Sequence, residues 1–265
     1  MRQKEEDMKR LKFINRMELS FDKPVGGHAY ALRCIPRTDS AQKMETLSSR
    51  VTPSGISKAV KDGFGNLVYT GSCAVPHTAF GYEIKGTALV DQNRREREAC
   101  HPMYRYATLL TGWGPCLESF YETHKTAGRA AFEMACSFMQ AIYDEFVYAP
   151  GATDIHTAAE TAMAQGKGVC QDYTHIFLAL CRKAGIPARY VAGMMIGEGA
   201  THAWAELYLD GVWRGFDPTH NRFVDDVYIK LAHGRDYRDC ILERGTFWGN
   251  AVQKQKIYVS VEDIT

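Results

Sequence analysis

Three residue types capable of acyl transfer fall at telling places in the sequence. Cys170 follows Gly168-Val169 and opens a stretch in which Tyr173, Ile176, Phe177, Leu180, Cys181 and Ala184 recur at helical spacing, closed by Gly185 and Pro187. The cysteine therefore sits in the first turn of a helix. Free backbone N–H groups and the helix dipole favour negative charge there, and the thiolate is the attacking form of a cysteine. The N–H of Cys170 also points to where an oxyanion would form.

His202 and Asp217 lie in two strand-like runs, Thr201–Leu209 and Val212–Asp217, joined by Asp210-Gly211, a two-residue hairpin signal. With that turn, His202 faces Thr219 and Trp204 faces Asp217. Side chains alternate, so His202, Trp204, Asp217 and Thr219 share one face. His202 and Asp217 become diagonal neighbours within side-chain reach. A carboxylate there can orient an imidazole, and the imidazole can take a thiol proton. Ala203, Ala205, Leu207 and Leu209 form the opposite, apolar face, with Arg214 a misfit that a bulge or an edge strand would accommodate. From spacing alone the two read equally well as a structural His–Asp pair in a sheet, and most of the eight cysteines read as core thiols.

The elements around this set divide the chain in three. Residues 1–91 have a β texture after a polar arm or short helix over 1–10. The runs Arg10–Phe21, His28–Cys34, Leu67–Cys73 and Tyr82–Val90 are separated by turn signals at Pro24-Val-Gly-Gly and Asp62-Gly-Phe-Gly-Asn66. Residues 92–127 read as a linker, lid or broken helix, with Gln92–Glu98 a solvated charged run. From 128 to 265 the texture is α then β. A helix is expected over 128–147, and a second, short one is opened by a capping box at Thr157-Ala-Ala-Glu160. The hairpin and a last strand near 256–261 follow. The class is α+β, with an antiparallel, sandwich-like N-terminal β-domain ahead of a helix packed on an antiparallel sheet.

Bulk composition excludes several functions. The chain has 265 residues, 45% apolar and 24% charged, with a formal net charge of +1. That balance gives no field for nucleic acid or an anionic membrane, so neither is expected as a partner. No long apolar run marks a membrane helix or signal peptide, and eight cysteines without a CxxC pair read as reduced thiols, so a cytoplasmic location is expected.

The segments Gly168-Val-Cys170-Gln-Asp172-Tyr-Thr-His, Gly185-Ile-Pro-Ala-Arg189-Tyr-Val, Thr201-His202-Ala-Trp204-Ala-Glu-Leu-Tyr and Trp213-Arg-Gly-Phe-Asp217-Pro-Thr resemble the bacterial transglutaminase-like superfamily. Phe146-Val-Tyr148 resembles that family's approach to the catalytic helix, and 11–91 its N-terminal β-region. The resemblance implies a papain-like core with Cys170 as nucleophile, His202 as base and Asp217 as orienting acid, acting on a peptide or protein amide through a thioester. No cofactor or metal is implied. Trp204 and Tyr148 would wall the site, and Asp172 would brace the helix. His220 stands where the family often carries Asn. Competing readings are a non-catalytic binding module on the same fold, a coenzyme A-dependent N-acetyltransferase, and a zinc site on Cys170, His202 and Asp217. His175 reads as a core histidine, and Tyr208 with Trp213 as a cross-strand packing pair.

Overall fold

The computed structural model describes residues 8–126, 128 and 130–265. Five strands come first: β1 (Lys9–Leu32), β2 (Gln42–Thr52), β3 (Ile56–Lys61), β4 (Leu67–Cys73) and β5 (His77–Val90). A helical middle follows, with α1 (Pro115–His124), α2 (Ala131–Glu145), β6 (Val147–Tyr148), α3 (Ala159–Gln165), β7 (Lys167–Gly168) and α4 (Cys170–Lys183). The rest is β: β8 (Ala188–Met195), β9 (Gly197–Gly199), β10 (His202–Leu209), β11 (Val212–Asp217), β12 (Arg222–Phe223), β13 (Tyr228–Gly234), β14 (Glu243–Trp248) and β15 (Gln253–Asp263). The class is α+β, as expected.

The N-terminal β-region is one curled antiparallel sheet threaded on β1. Its first half pairs with β5 and β15, and its second half with β4 and β14. Pro24-Val-Gly-Gly was expected to separate two strands. It is instead the irregularity within one strand, where pairing to β5 and β15 ends and pairing to β4 and β14 begins, with Gly27 at φ +56°. Of the expected arm over 1–10, residues 1–7 lie outside the described residues. Met8 is buried and Lys9 begins β1.

A second sheet, in the order β12-β11-β10-β8-β13, carries α4 on one face. Ala203, Ala205, Leu207 and Leu209 join Ile176, Phe177 and Leu180 of α4 in the main core, while Trp204 packs with Val191, Val224 and Tyr228 in a separate small cluster. The hairpin register is the expected one, from Leu209 opposite Val212 to Ala205 opposite Phe216. Asp210 and Gly211 both take positive φ, as a tight hairpin turn demands. Arg214 is exposed on what is there an edge strand, because β12 pairs only with Phe216 and Asp217. Tyr208 and Trp213 face each other with ring centroids 5.3 Å apart.

Three further expectations need correction. The last strand, grouped with the helix-bearing part of the chain over 128–265, lies in the N-terminal sheet instead: β14 and β15 return to β1, and Gly197–Gly199 pairs with β15. The Thr157–Glu160 capping box does not form. Thr157 bonds to Asp154, and the Glu160 carboxylate reaches the start of α1, accepting from the N–H groups of Cys116 at 2.8 Å and Leu117 at 3.0 Å. Two acceptor oxygens are stronger partners for free helical N–H groups than a short local loop allows. The charged run 92–98 is not a solvated face alone, since Glu98 bonds to Arg189 at 2.8 Å and Arg95 is half-buried.

Asp62-Gly-Phe-Gly-Asn66 fastens the two sheets together. Asp62 accepts from the N–H groups of Phe64 and Asn66, and from Arg33 at 3.0 Å. The fully buried Asn66 then makes a reciprocal pair with the backbone of His233 in β13, donating to its carbonyl at 2.8 Å and accepting from its N–H at 2.9 Å. Asn66→Ala leaves both groups of His233 without partners. A loss of about 2–6 kcal/mol is expected in urea unfolding, since each orphaned buried group costs about 1–3 kcal/mol. A loss within experimental error would show that this latch contributes nothing.

Candidate active site

Gly168 sets the start of α4. A side chain there would place its Cβ 2.4 Å from Asp172 Oδ2. The space is used instead by the Asp172 carboxylate, which accepts from the N–H of Val169 at 2.8 Å and the hydroxyl of Thr153 at 2.6 Å. Asp172 is 1% exposed and braces the turn that presents Cys170. Burial raises its pKa, against the lowering effect of the Thr153 and Val169 hydrogen bonds. Cys170 is the first residue of α4 and is half-buried.

His202 opens β10, and the Cys170 thiol is near enough to help raise the pKa of its imidazole. Its Nε2 lies 2.8 Å from Asp217 Oδ2. Burial disfavours the imidazolium, but the hydrogen bond to Asp217 and the interaction with Cys170 outweigh it, and the pKa is pushed up to about 10. Asp217 is fully buried. Burial alone would raise its pKa, but hydrogen bonds from His202 and His220 hold it far below the usual carboxylate range.

The structure thus pairs His202 with Asp217, has the Cys170 thiol near the imidazole, and adds groups the sequence does not assign. His220 Nδ1 and the Tyr228 hydroxyl both meet Asp217 Oδ2 at 2.8 Å, and the N–H of Thr219 donates to Oδ1 at 3.0 Å. The short loop after Pro218 places His220, and its departure from the family pattern was the one signal in the sequence. Tyr228 comes from β13, and no local motif marks it. Among the described residues, His202, Asp217 and His220 form the one group with metal-ligand chemistry, so His220 rather than Cys170 completes that set.

The remaining expected residues flank these groups. Trp204 is 1% exposed and stacks near His202, with ring centroids 6.3 Å apart. Gly193 makes room for it: a Cβ there would meet the Trp204 ring at 2.3 Å. Tyr148 is 53% exposed, close enough to Cys170 for the thiol to affect its hydroxyl, though burial is the larger cause of its raised pKa. His175 is a core residue. Its Nε2 accepts from the N–H of Tyr237 at 3.2 Å, and burial lowers its pKa to about 3, which keeps it neutral.

A cysteine at a helix N-terminus, an imidazole beside it and a buried carboxylate behind the imidazole is an arrangement that several unrelated folds share. Comparison with known proteins decides between them. The Transglutaminase-like superfamily profile matches residues 121–218, and that of the Bacterial transglutaminase-like N-terminal region matches 12–89. The chain carries a transglutaminase-like core behind a bacterial transglutaminase-like N-terminal region. An uncharacterized protein of Mycobacterium leprae is 25% identical over 96% of this chain and 99% of its own. One of Mycobacterium tuberculosis is 35% identical, over 51% of this chain and 48% of its own length. The fold of this transglutaminase-like chain is also that of a candidate cysteine protease from Cytophaga hutchinsonii, at a TM-score of 0.80 and 20% identity, covering 98% of this chain and 92% of the other.

Proposed function

We propose that the protein is a cysteine-dependent acyl-transfer enzyme that opens peptide or isopeptide amides, as a thiol peptidase or amidohydrolase or, with an amine acceptor, as a transamidase. The observation that carries this reading is the placement of Cys170, at the start of α4, near a His202 whose Nε2 is held 2.8 Å from the buried Asp217. His202 takes the thiol proton, and the sulfur forms a bond to the carbonyl carbon. The N–H groups of the first turn of α4 face the developing oxyanion. The imidazolium then protonates the leaving amine as the C–N bond breaks, leaving a thioester on Cys170. Water or a second amine, deprotonated by His202, attacks the thioester and returns the thiol. Trp204 and Tyr148 wall the cleft, and Asp217 keeps the imidazole in one orientation. The description of the Cytophaga hutchinsonii neighbour as a candidate cysteine protease agrees with this chemistry.

Among the described residues no helix is long and apolar enough to cross a membrane. Eight cysteines, none in a disulfide, support a reducing compartment such as the cytoplasm.

The test is a panel of peptide amides and glutamine-containing peptides, with and without a primary amine, followed by mass spectrometry of the quenched protein. An acyl adduct on Cys170 is expected, together with released amine, and Cys170→Ser should lower turnover by at least about a thousandfold. If no adduct and no turnover were found while Cys170 still reacted with iodoacetamide, the non-catalytic binding module would be the better reading.

A further inference from the structure

A polar cavity of about 300 Å³ lies apart from Cys170, His202 and Asp217, bounded by residues 39–42, residues 92–98 and the face of β8, β10 and β13 that carries Trp204. We propose that this cavity binds a small organic carboxylate, of the size of a dicarboxylic or amino acid.

Its interior has more positive than negative charge. Arg189, 7% exposed, and Lys230 both pair with the buried Glu206, at 2.6 and 2.7 Å. Arg189 also pairs with Glu98, half exposed at the mouth, at 2.8 Å, so these four groups balance. Arg95 leaves one positive charge over. Its Nε donates to Gln92 Oε1 at 2.9 Å, and no carboxylate pairs with it among the described residues. The other carboxylates at the cavity do not neutralise this excess from within. Glu96 and Asp39 are exposed to solvent, as is Arg97 beside them.

A second observation points to a ligand. Trp204 lines the cavity and is 1% exposed, and its indole N–H has no partner. Buried donors of this kind are rarely left unpaired, because desolvation without a hydrogen bond is costly. The six-membered edge of the indole, Cη2 and Cζ3, lies over Gly193, so the edge bearing Nε1 points away from that glycine. A carboxylate would satisfy both the indole N–H and the Arg95 guanidinium. Trp213, Val224 and Tyr228 supply apolar wall for a carbon skeleton. The volume, equal to about ten waters, exceeds what a bare inorganic anion would fill. An occupant would also touch the supports of the triad, since Trp204 stacks near His202 and Tyr228 holds Asp217.

The experiment is titration of the intact chain with succinate, read by calorimetry and by tryptophan fluorescence, against sodium chloride at equal ionic strength and against neutral succinamide. The expected result is one saturable site that neither chloride nor succinamide reproduces, with Arg95→Gln weakening it at least about tenfold, the loss expected for one charge-assisted contact. No saturable heat, or equal binding of succinamide by the wild-type protein, would overturn the proposal whether or not the variant folds. The readout is binding alone, so the result does not depend on whether Cys170 performs acyl transfer.

Discussion

At neutral pH, iodoacetamide should modify Cys170 at least about tenfold faster than any of the other seven cysteines, and His202→Ala should remove that advantage. The comparison that matters is with Cys116. Both residues lie in the first turn of a helix, and Cys116 is the more exposed. Exposure alone predicts that Cys116 reacts first. The electrostatics predict the reverse. Glu160 occupies the N-terminal N–H groups of α1, and local desolvation together with its carboxylate raises the Cys116 thiol above its ordinary value. At α4 the capping carboxylate, Asp172, is turned back onto Val169 and Thr153, and the neighbour of the sulfur is an imidazole. Burial raises the thiols of Cys34, Cys181 and Cys240, and those of Cys100 and Cys136 as well. Peptide mass spectrometry over a time course gives each rate in one experiment. Cys116 labelling as fast as Cys170 would mean that the helix and the imidazole do not activate the sulfur.

The sequence allowed the hairpin to be read residue by residue, because a two-residue turn fixes register and strand alternation fixes faces. The start of α4 was legible for the same reason: Gly168 and the apolar stripe leave little choice of boundary. What stayed hidden depends on partners far away in the chain. Tyr228 reaches Asp217 from another strand, and Glu160 abandons its own helix for α1. The return of β14 and β15 to β1 could not be seen either, since nothing local distinguishes a strand of one sheet from a strand of the other. Glu206 was within reach of the alternation argument. It sits two residues after Trp204 on the same face, and a charge at that position already implied buried cations opposite it, which proved to be Arg189 and Lys230.

The largest loss expected from a single isosteric change is at Asp217. In Asp217→Asn the side chain keeps its volume, but three donors converge on Oδ2, from His202, His220 and Tyr228, and a fourth, the N–H of Thr219, meets Oδ1. A primary amide has one acceptor oxygen and an NH2 that can only donate. If its oxygen takes the Oδ2 place, its NH2 faces the Thr219 N–H; if it is flipped, its NH2 faces three donors. Either orientation sets donor against donor in a buried site, and a loss of about 3–5 kcal/mol is expected. Turnover should fall by about 10² to 10⁴, the usual contribution of a positioned acid–base group. The pH dependence separates this cause from simple misfolding. His202, raised to about 10, contributes stability that is complete below its ordinary value of 6.5 and is lost as pH rises through about 10. Asp217, held low, contributes stability that is present above its ordinary value of 3.8 and is lost as pH falls below that value. The gap between wild type and Asp217→Asn in urea unfolding should therefore be widest between those ordinary values, and should narrow toward strong alkali and toward strong acid. His220→Ala and Tyr228→Phe each remove one donor and leave the charge in place, so each should cost about 1 kcal/mol and preserve that pH window. A gap that did not change with pH would place the loss in packing, and the buried carboxylate would then not be what holds His202 in its charged form.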